Sequence, residues 1–436
     1  MRALLGDDYA AFAATLDAPA FRGVYINTLK CSKEKFLSLF PYPLTPTPFS
    51  SYGFYIDPAV EGLGRLPLHH AGAFYAQEPS AMSAAAALAV RKGDKVLDLC
   101  AAPGGKTTAL AAALDGTGLL WSNEYVKKRA FTLLSNIERI GARNVVVSNT
   151  GAQTLAAQLP AFFDKILVDA PCSGEGMLRR EKAVYEDWNE NNILLCAERQ
   201  KEILTQAAKL LRPGGEMVYS TCTFNQTENE DVAQWFLEHH PDFSLLPIAE
   251  DFGSPGFGMP DARRIFPRDG GEGHFVVKFK KAGEAPLVKF KDFTGTAAPE
   301  DFFTFYQSVF EGKPYGKPTM IGGKIYLLPA DLPATEHCSI LRAGVLAGEM
   351  QGKRFSPAHA LFSAAREPDI RNGIDLAAND ERLQRFLHGE EIDIGSEAPQ
   401  KGYYAVSVKG IPLGFGKVSG AKMKNHYPKG LRNLTL

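Results

Sequence analysis

The stretch "KVLDLCAAPGGKTTAL", Lys95 to Leu110, decides the reading of the fold. Lys95–Cys100 is a short apolar strand, the small residues after it make a turn, and "KTTALAAAL" forms helix readily. The alternation continues downstream. "GLLWSNE" (Gly118–Glu124), "NVVVS" (Asn144–Ser148), "KILVDA" (Lys165–Ala170) and "EMVYSTC" (Glu216–Cys222) read as strands. "KKRAFTLLSNIERI" and Asn191–Leu211 read as helices, the second stopping at "RPGG". "HFVVKFK" (His274–Lys280) is a late strand. Nearly continuous apolar strands alternating with helices imply an α/β fold with a parallel sheet covered on both faces. Ligands of such sheets bind beyond the carboxyl ends of the strands, so the residues just after each strand become the candidates.

The chain of 436 residues is too long for one ordinary domain of roughly 100–200 residues. Its apolar share of 45% and charged share of 22% are those of a soluble globular protein. A net charge of −1 excludes a polycation, so contact with nucleic acid has to rest on a local basic patch. No apolar run is long enough for a membrane span, and the acids in "MRALLGDDYAAF" do not suit a signal peptide. The six cysteines form no C-x-x-C pair, which argues against a zinc ribbon or other metal centre and fits a reducing, cytoplasmic setting. Cys31, Cys196 and Cys338 read as small buried hydrophobes. Composition divides the chain into a Pro-rich segment 1–70, the alternating segment 71–282, a linker 283–298, a small α+β segment 299–368, and a Gly-rich, strand-rich, basic segment 369–436. The aromatics of "FFTFYQSVF" (Phe302–Phe310) read as core.

In the loop after the first strand, Ala101, Ala102, Gly104 and Gly105 let backbone approach a ligand closely, and the helix start offers free N–H groups to an anion. A P-loop would need glycine where Cys100 stands, and the G-x-G-x-x-G dinucleotide spacing is absent. S-adenosyl-L-methionine is a third candidate, its carboxylate meeting Lys106 and the helix start. Glu124, ending the next strand, suits the ribose hydroxyls. An ordinary strand-to-helix turn, with Glu124 as an exposed surface acid, is the alternative.

Cys172, in "DAPCSGEGMLRR", and Cys222, in "YSTCTFNQTEN", each close a strand inside a polar cluster. Carbon 5 of cytosine is a poor nucleophile until a thiolate adds to carbon 6, and the adduct must later release that thiolate. Two cysteines at neighbouring strand ends suit this two-step chemistry, with Asp169 placed to hydrogen-bond the base edge. Packing cysteines are the bland alternative.

The segments "FYAQEPSAM", "DLCAAPGGKT", "DAPCSGEGMLRR", "STCT" and "RRIFPRDGGEGHF", with "LLGDDYAAF" near the start and residues 412–432 near the end, resemble the RNA cytosine-5 methyltransferases of the Sun type, and most closely the RsmF-like branch acting on ribosomal RNA. The resemblance implies a Rossmann-like methyltransferase sheet, a small N-terminal domain, and a C-terminal extension ending in a PUA-like module. It makes Cys222 the nucleophile, Cys172 the cysteine that helps release, and Asp169 an acid between cofactor and base. It places S-adenosyl-L-methionine against Cys100, Ala101, Ala102, Pro103, Gly104, Gly105, Lys106, Glu124 and Asp169. The family's acid after the third strand is missing from "SNTGAQ", so Asn149 is expected to serve there, and Tyr25 in "YINT" replaces an arginine. The expected substrate is ribosomal RNA, 16S in particular, and the protein is expected to be a monomer. Transfer RNA as substrate, an idle RNA-binding assembly factor, and a DNA cytosine methyltransferase are the alternatives. The last would attack from the "PC" motif alone.

Lys409, Lys417, Lys422, Lys424, Lys429 and Arg432 lie in a stretch without acids, interleaved with Phe415, His426 and Tyr427. Cations that bind phosphate and rings that stack on bases make this the expected RNA-binding surface.

Overall fold

A computed structural model describes residues 1–180, 186, 188–284 and 290–433. Residues 285–289 of the expected linker lie outside the described residues.

Ten strands make the central sheet: β1 (Lys95–Asp98), β2 (Leu119–Asn123), β3 (Val145–Ser148), β4 (Phe163–Asp169), β5 (Leu211–Thr221), β6 (Phe243–Leu246), β7 (Ser254–Gly256), β8 (Met259–Ile265), β9 (His274–Lys281) and β10 (Ile340–Ala343). Their order is β7-β8-β9-β5-β4-β1-β2-β3-β10, with β6 also pairing β9. The expected parallel sheet is therefore only the centre. β3, β2, β1, β4 and β5 run parallel, while β9, β8, β7, β6 and β10 are antiparallel additions. Hairpin-length connections after β6 allow antiparallel pairing that a helical crossover does not require. β10 comes from the segment expected to form a separate α+β unit, and it covers the edge of β3 that would otherwise stay unpaired.

The crossover helices are Gly105–Leu114, Lys127–Ile140, Ala152–Gln158 and Glu190–Leu210. Gly141 ends the second of these in the left-handed region, φ +72°, where a side chain would be strained. The fourth is capped by the Asn189 side chain, which accepts from the Asn192 N–H. It stops at Leu210 as "RPGG" implied, but Arg212–Gly215 already belong to β5. A register irregularity opposite Phe163–Lys165 absorbs the extra residues.

An antiparallel sheet of Thr45–Pro46, Gly53–Ile56, Arg22–Ile26 and Phe74–Gln77 precedes the central one, so pairing from the first segment reaches past residue 70. Two five-stranded sheets follow it. One runs from Thr296–Ala297 to Arg354–Pro357 beside helix Glu300–Val309, whose Phe302, Tyr306 and Val309 are buried, together with the adjoining Phe310, as expected of core. The other comprises Gly373–Leu376, Ile392–Asp393, Gly402–Val408, Ile411–Ser419 and Lys422–Asn425.

Alternation along the strands sorts the central residues into two faces. Ile166 and Val168 of β4, Met217 and Tyr219 of β5, and Phe275 and Val277 of β9 pack toward helix Glu190–Leu210. Leu167, Val218 and Val276 pack on the other face, against Met82–Leu88 and helix Gly105–Leu114. By the same period of two, Asp98, Asp169, Ser220, Cys222 and His274 belong to this second face, at its carboxyl end.

Candidate active site

The strand order reverses between β1 and β4, because the chain leaves β1 toward β2 and returns on the other side as β4. The crevice at this switch point is where an open α/β sheet takes its ligand. Cys100–Lys106 leave β1 on one lip, and Asp169 ends β4 on the other.

The loop after β1 is held from outside. The Ala101 N–H donates to Asn123 O at 2.8 Å, and the carbonyls of Ala102 and Pro103 accept from Arg129 and Asn136, each at 2.8 Å. Gly104 has φ +116°, closed to most side chains, and a Cβ on Gly105 would come within 3.0 Å of the Gln77 amide. Lys106 reaches across the crevice to Asp169 Oδ2 at 2.7 Å, while Ser220 donates to Asp169 Oδ1 at 2.8 Å. Burial favours the neutral form of each. The opposite charge overrides it, aided for Asp169 by the hydrogen bond from Ser220, so Asp169 titrates below and Lys106 above its ordinary range.

Glu124 is 3% exposed, with one oxygen accepting from the Val126 N–H at 2.8 Å and the other 3.5 Å from Arg129. Asn149 donates its amide hydrogens to the carbonyls of Glu124 and Tyr125, both at 2.7 Å. It fixes the turn that carries Glu124. Asp98 accepts from Thr107 at 2.6 Å on one oxygen only. Its other oxygen is buried without a partner among the described residues, as are Gln77 Oε1 and His274 Nε2. Burial pushes Asp98 up to about 7. A small-residue cradle, a buried acid after β2 and orphaned acceptors fit a ligand with a carboxylate, an ammonium and ribose hydroxyls, as S-adenosyl-L-methionine has.

Cys172 and Cys222, fifty residues apart, meet with sulfurs 3.3 Å from each other, and the Cys222 N–H points at Cys172 Sγ at 3.4 Å. Both are half-buried. The hydrogen bond with Cys222, then burial, holds the Cys172 thiol well above its ordinary value, so it keeps its proton and can donate to its neighbour. Cys31 and Cys196 are buried, and Cys338 is half-buried.

Two glutamates that sequence reading passed over lock the loops bearing these cysteines. Glu228 is fully buried and accepts from the Ser173 N–H (3.0 Å), Ser173 Oγ (2.5 Å), Gln200 (2.8 Å) and Asn225 (2.7 Å). Glu175 accepts from Thr223 (2.8 Å), the N–H groups of Phe224 (3.0 Å) and Asn225 (2.8 Å), and Trp188 (2.9 Å). Burial opposes its charge, but these donors outweigh that and hold its carboxyl below the ordinary range. Both residues lie in the two polar clusters quoted above, which was the one available signal.

The basic tail does not form one surface. Lys417 and Lys424 are cross-strand partners, and Lys417 lies 5.3 Å over the Tyr403 ring. Lys409 stands at the far end of the same hairpin, roughly 20 Å away at 3.3 Å per residue. Lys422 pairs with Glu391 at 3.2 Å, Lys429 is exposed, and Arg432 is half-buried with its guanidinium 3.4 Å from Tyr427 O. The expected stacking rings need correction: Phe415 and Tyr427 are each 2% exposed, packed on Phe362 and Phe386. His426 is half-buried against Phe415.

Family models match in series along the chain: the N-terminal domain of 16S rRNA methyltransferase RsmF at 1–79, 16S rRNA methyltransferase RsmB/F at 85–280, the RsmF first C-terminal domain at 304–364, and the methyltransferase RsmF PUA domain at 374–433. Ribosomal RNA small subunit methyltransferase F of Klebsiella pneumoniae is 32% identical over 96% of this chain and 92% of its own. The protein of the same name from Escherichia coli is 31% identical with the same coverage. Among solved structures, a methyltransferase homolog from Pyrococcus horikoshii is 31% identical, covers 63% of this chain and 91% of its own, and has a TM-score of 0.57. NSun6 from the same organism, at 24% identity, 65% of this chain and 97% of its own, shares the fold with a TM-score of 0.59. The switch-point crevice, its paired cysteines and a likeness running from end to end lead to one conclusion: the chain belongs to the RsmB/F family of 16S rRNA methyltransferases.

Proposed function

We propose that this protein transfers the methyl group of S-adenosyl-L-methionine to carbon 5 of a cytosine in 16S ribosomal RNA, through a covalent bond from Cys222 to carbon 6. The observation that carries the mechanism is the 3.3 Å approach of Cys172 to Cys222 beside the Asp169–Lys106 pair.

The residues that would hold the cofactor are Cys100–Lys106, Glu124 and Asp169, with Asn149 bracing the turn of Glu124. When bound, the cofactor supplies an electrophilic sulfonium methyl. Lys106 keeps a positive charge at the crevice, and Cys172 keeps a thiol proton beside the Cys222 sulfur. Addition of Cys222 to carbon 6 makes carbon 5 nucleophilic toward that methyl. Carbon 5 then carries both the methyl and its original proton. Transfer of that proton to water restores the 5,6 double bond and expels Cys222 as a thiolate, and the Cys172 thiol beside it can donate a hydrogen bond to the departing sulfur. Asp169, held by Lys106 and Ser220, sits between the cofactor loop and the cysteines and orients the base edge.

Lys409, Lys417, Lys422, Lys424, Lys429 and Arg432 contribute RNA contacts, led by the Lys417–Lys424 row. The protein acts as a monomer in the cytoplasm, without a metal. Among the described residues no helix is long and apolar enough to cross a membrane. Bisulfite sequencing of ribosomal RNA from cells with and without the gene tests the reading. A cytosine in 16S RNA should lose its methyl mark without the gene and regain it on incubation with purified protein. Identical marks in both cells would overturn it.

A further inference from the structure

His274 opens β9, one residue before the Phe275–Thr221 pair, so it stands beside Cys222 on the face that carries Asp169 and Ser220. The side chain is buried, 4% exposed. Its Nδ1 lies 3.3 Å from Ser80 Oγ and 3.9 Å from Glu78 Oε2. Ser80 Oγ already gives its own hydrogen to Glu78 Oε2 at 2.5 Å, so toward the ring it can only accept. The ring therefore carries its hydrogen on Nδ1 and presents a bare lone pair at Nε2. That atom is sealed from water and has no partner among the described residues.

A buried acceptor left open costs stability unless something completes it. A ligand that enters the crevice supplies the partner that Nε2 lacks. Position says which ligand. The cofactor loop and Glu124 follow β1 and β2, whereas β9 lies on the opposite side of β4, beyond β5 and its cysteine. His274 thus faces the base. Burial also pushes its pKa down to about 4, so the ring stays neutral and accepting at neutral pH.

Resting on the function proposed above, we infer that His274 is a specificity-determining residue that accepts a hydrogen bond from the exocyclic amino group of the target cytosine. That group is the donor by which cytosine differs from uracil, which offers a carbonyl at the same place. It sits on carbon 4, two ring atoms from the carbon that Cys222 attacks, so the neighbour of Cys222 across the sheet is well placed to read it. A bare lone pair meeting a carbonyl is repelled, so the same geometry rejects uracil.

The test compares methyl transfer to two RNAs that differ at the target alone. One carries cytidine and the other the 2-pyrimidinone nucleoside, which lacks the amino group. The measured quantity is the ratio of their kcat/KM values. His274→Phe should reduce that ratio roughly 10- to 100-fold relative to wild type, mainly by slowing the cytidine substrate. His274→Gln, which puts a carbonyl oxygen near the place of Nε2, should restore most of it. A purely structural role would slow both RNAs alike and leave the ratio unmoved, and that result overturns the inference. If His274→Phe does not fold, Ser80→Ala carries the comparison: that change frees the ring and should lower the ratio, and an unchanged ratio overturns the inference too. Wild-type protein that fails to methylate the cytidine RNA would instead strike at the proposed function.

Discussion

Cys172 and Cys222 share one environment but differ in what each removal leaves behind. Without Cys222 no sulfur remains in position to add to carbon 6, so Cys222→Ala should form no protein–RNA adduct and lose activity by many orders of magnitude. Without Cys172 the addition and the methyl transfer still proceed, but expulsion stalls. Cys172→Ala should therefore accumulate a slow-moving species on a denaturing gel with RNA and S-adenosyl-L-methionine, and the double variant should not. The reverse pattern would exchange the two roles. Asp98 gives a test at the same scale that needs no RNA. Its folded pKa of about 7 stands above that of an unfolded aspartate, so the folded state binds the extra proton between the two. The stability this contributes is fully present below the unfolded pKa and is lost as pH rises through about 7. At 1.36 kcal/mol per pKa unit the whole effect is about 4 kcal/mol at most. Asp98→Asn keeps an oxygen for Thr107 but cannot titrate, so urea midpoints of the ligand-free protein should vary less between pH 5 and 8 than those of wild type. An equal slope would show that Asp98 does not titrate in that window.

At the scale of elements, the turns after β4 and β5 have no regular pairing of their own and are stitched by Glu228 and Glu175. Removing the Glu228 carboxylate strands the Ser173 N–H in a dry site, at a cost of about 1–3 kcal/mol, and takes one acceptor each from Gln200 and Asn225, which keep Pro171 O and Thr223 Oγ1. Glu228→Ala should lower the urea midpoint and also make the protein–RNA adduct accumulate, because the segment Pro171–Ser173 no longer holds Cys172 beside the departing sulfur of Cys222. An adduct yield equal to wild type would mean that the cysteines are placed without this stitch. The same elements show what could be read beforehand. The cofactor loop, Glu124 and both cysteines were legible because each is a local signal, a polar or small-residue cluster closing an apolar strand. Glu228 was not: it lies 55 residues from Ser173, and only folding turns its carboxylate inward. His274 was hidden because β9 reads as one more apolar strand, and its antiparallel insertion beside β5 depends on hairpin geometry far from the cysteine. β10 was missed because four residues of a distant segment carry no mark of the edge they cover. Phe415 and Tyr427 were read as base-stacking rings from their cationic neighbours. Their surroundings in the fold are apolar instead: Phe415 stacks on Phe362, and Tyr427, beyond the last strand, packs on Phe386.

Taken whole, the molecule is joined end to end, and this decides how RNA binding can be tested. The N-terminal sheet and the last module share one apolar cluster, with Val24, Ile26 and Phe36 packed among the same residues as Ile374, Leu383 and Phe386. His70 and Tyr427 are hydrogen-bonded at 2.7 Å. Lys30 reaches the carbonyls of Ser363 and Pro412, and Asn27 donates to Gly72 O and Ile140 O, both at 2.8 Å. Cutting the chain near residue 370 would expose that cluster, so a loss of RNA affinity on truncation could report unfolding alone. Point changes avoid the difficulty. Lys424 is exposed and Lys417 half-buried, they face the same way on adjacent strands, and no ion pair among the described residues includes either. Lys422 is partly neutralised by Glu391, and Lys409 is too distant to act with them. Every RNA phosphate that a cation ceases to neutralise takes roughly 0.7–0.9 off the slope of log affinity against log salt. Lys417→Ala with Lys424→Ala should therefore flatten the slope by roughly 1.4–1.8 while leaving the thermal midpoint and cofactor affinity near wild type. Lys409→Ala should alter the slope less than either change in the pair. A double variant with the wild-type slope would move the RNA path off this face of the module.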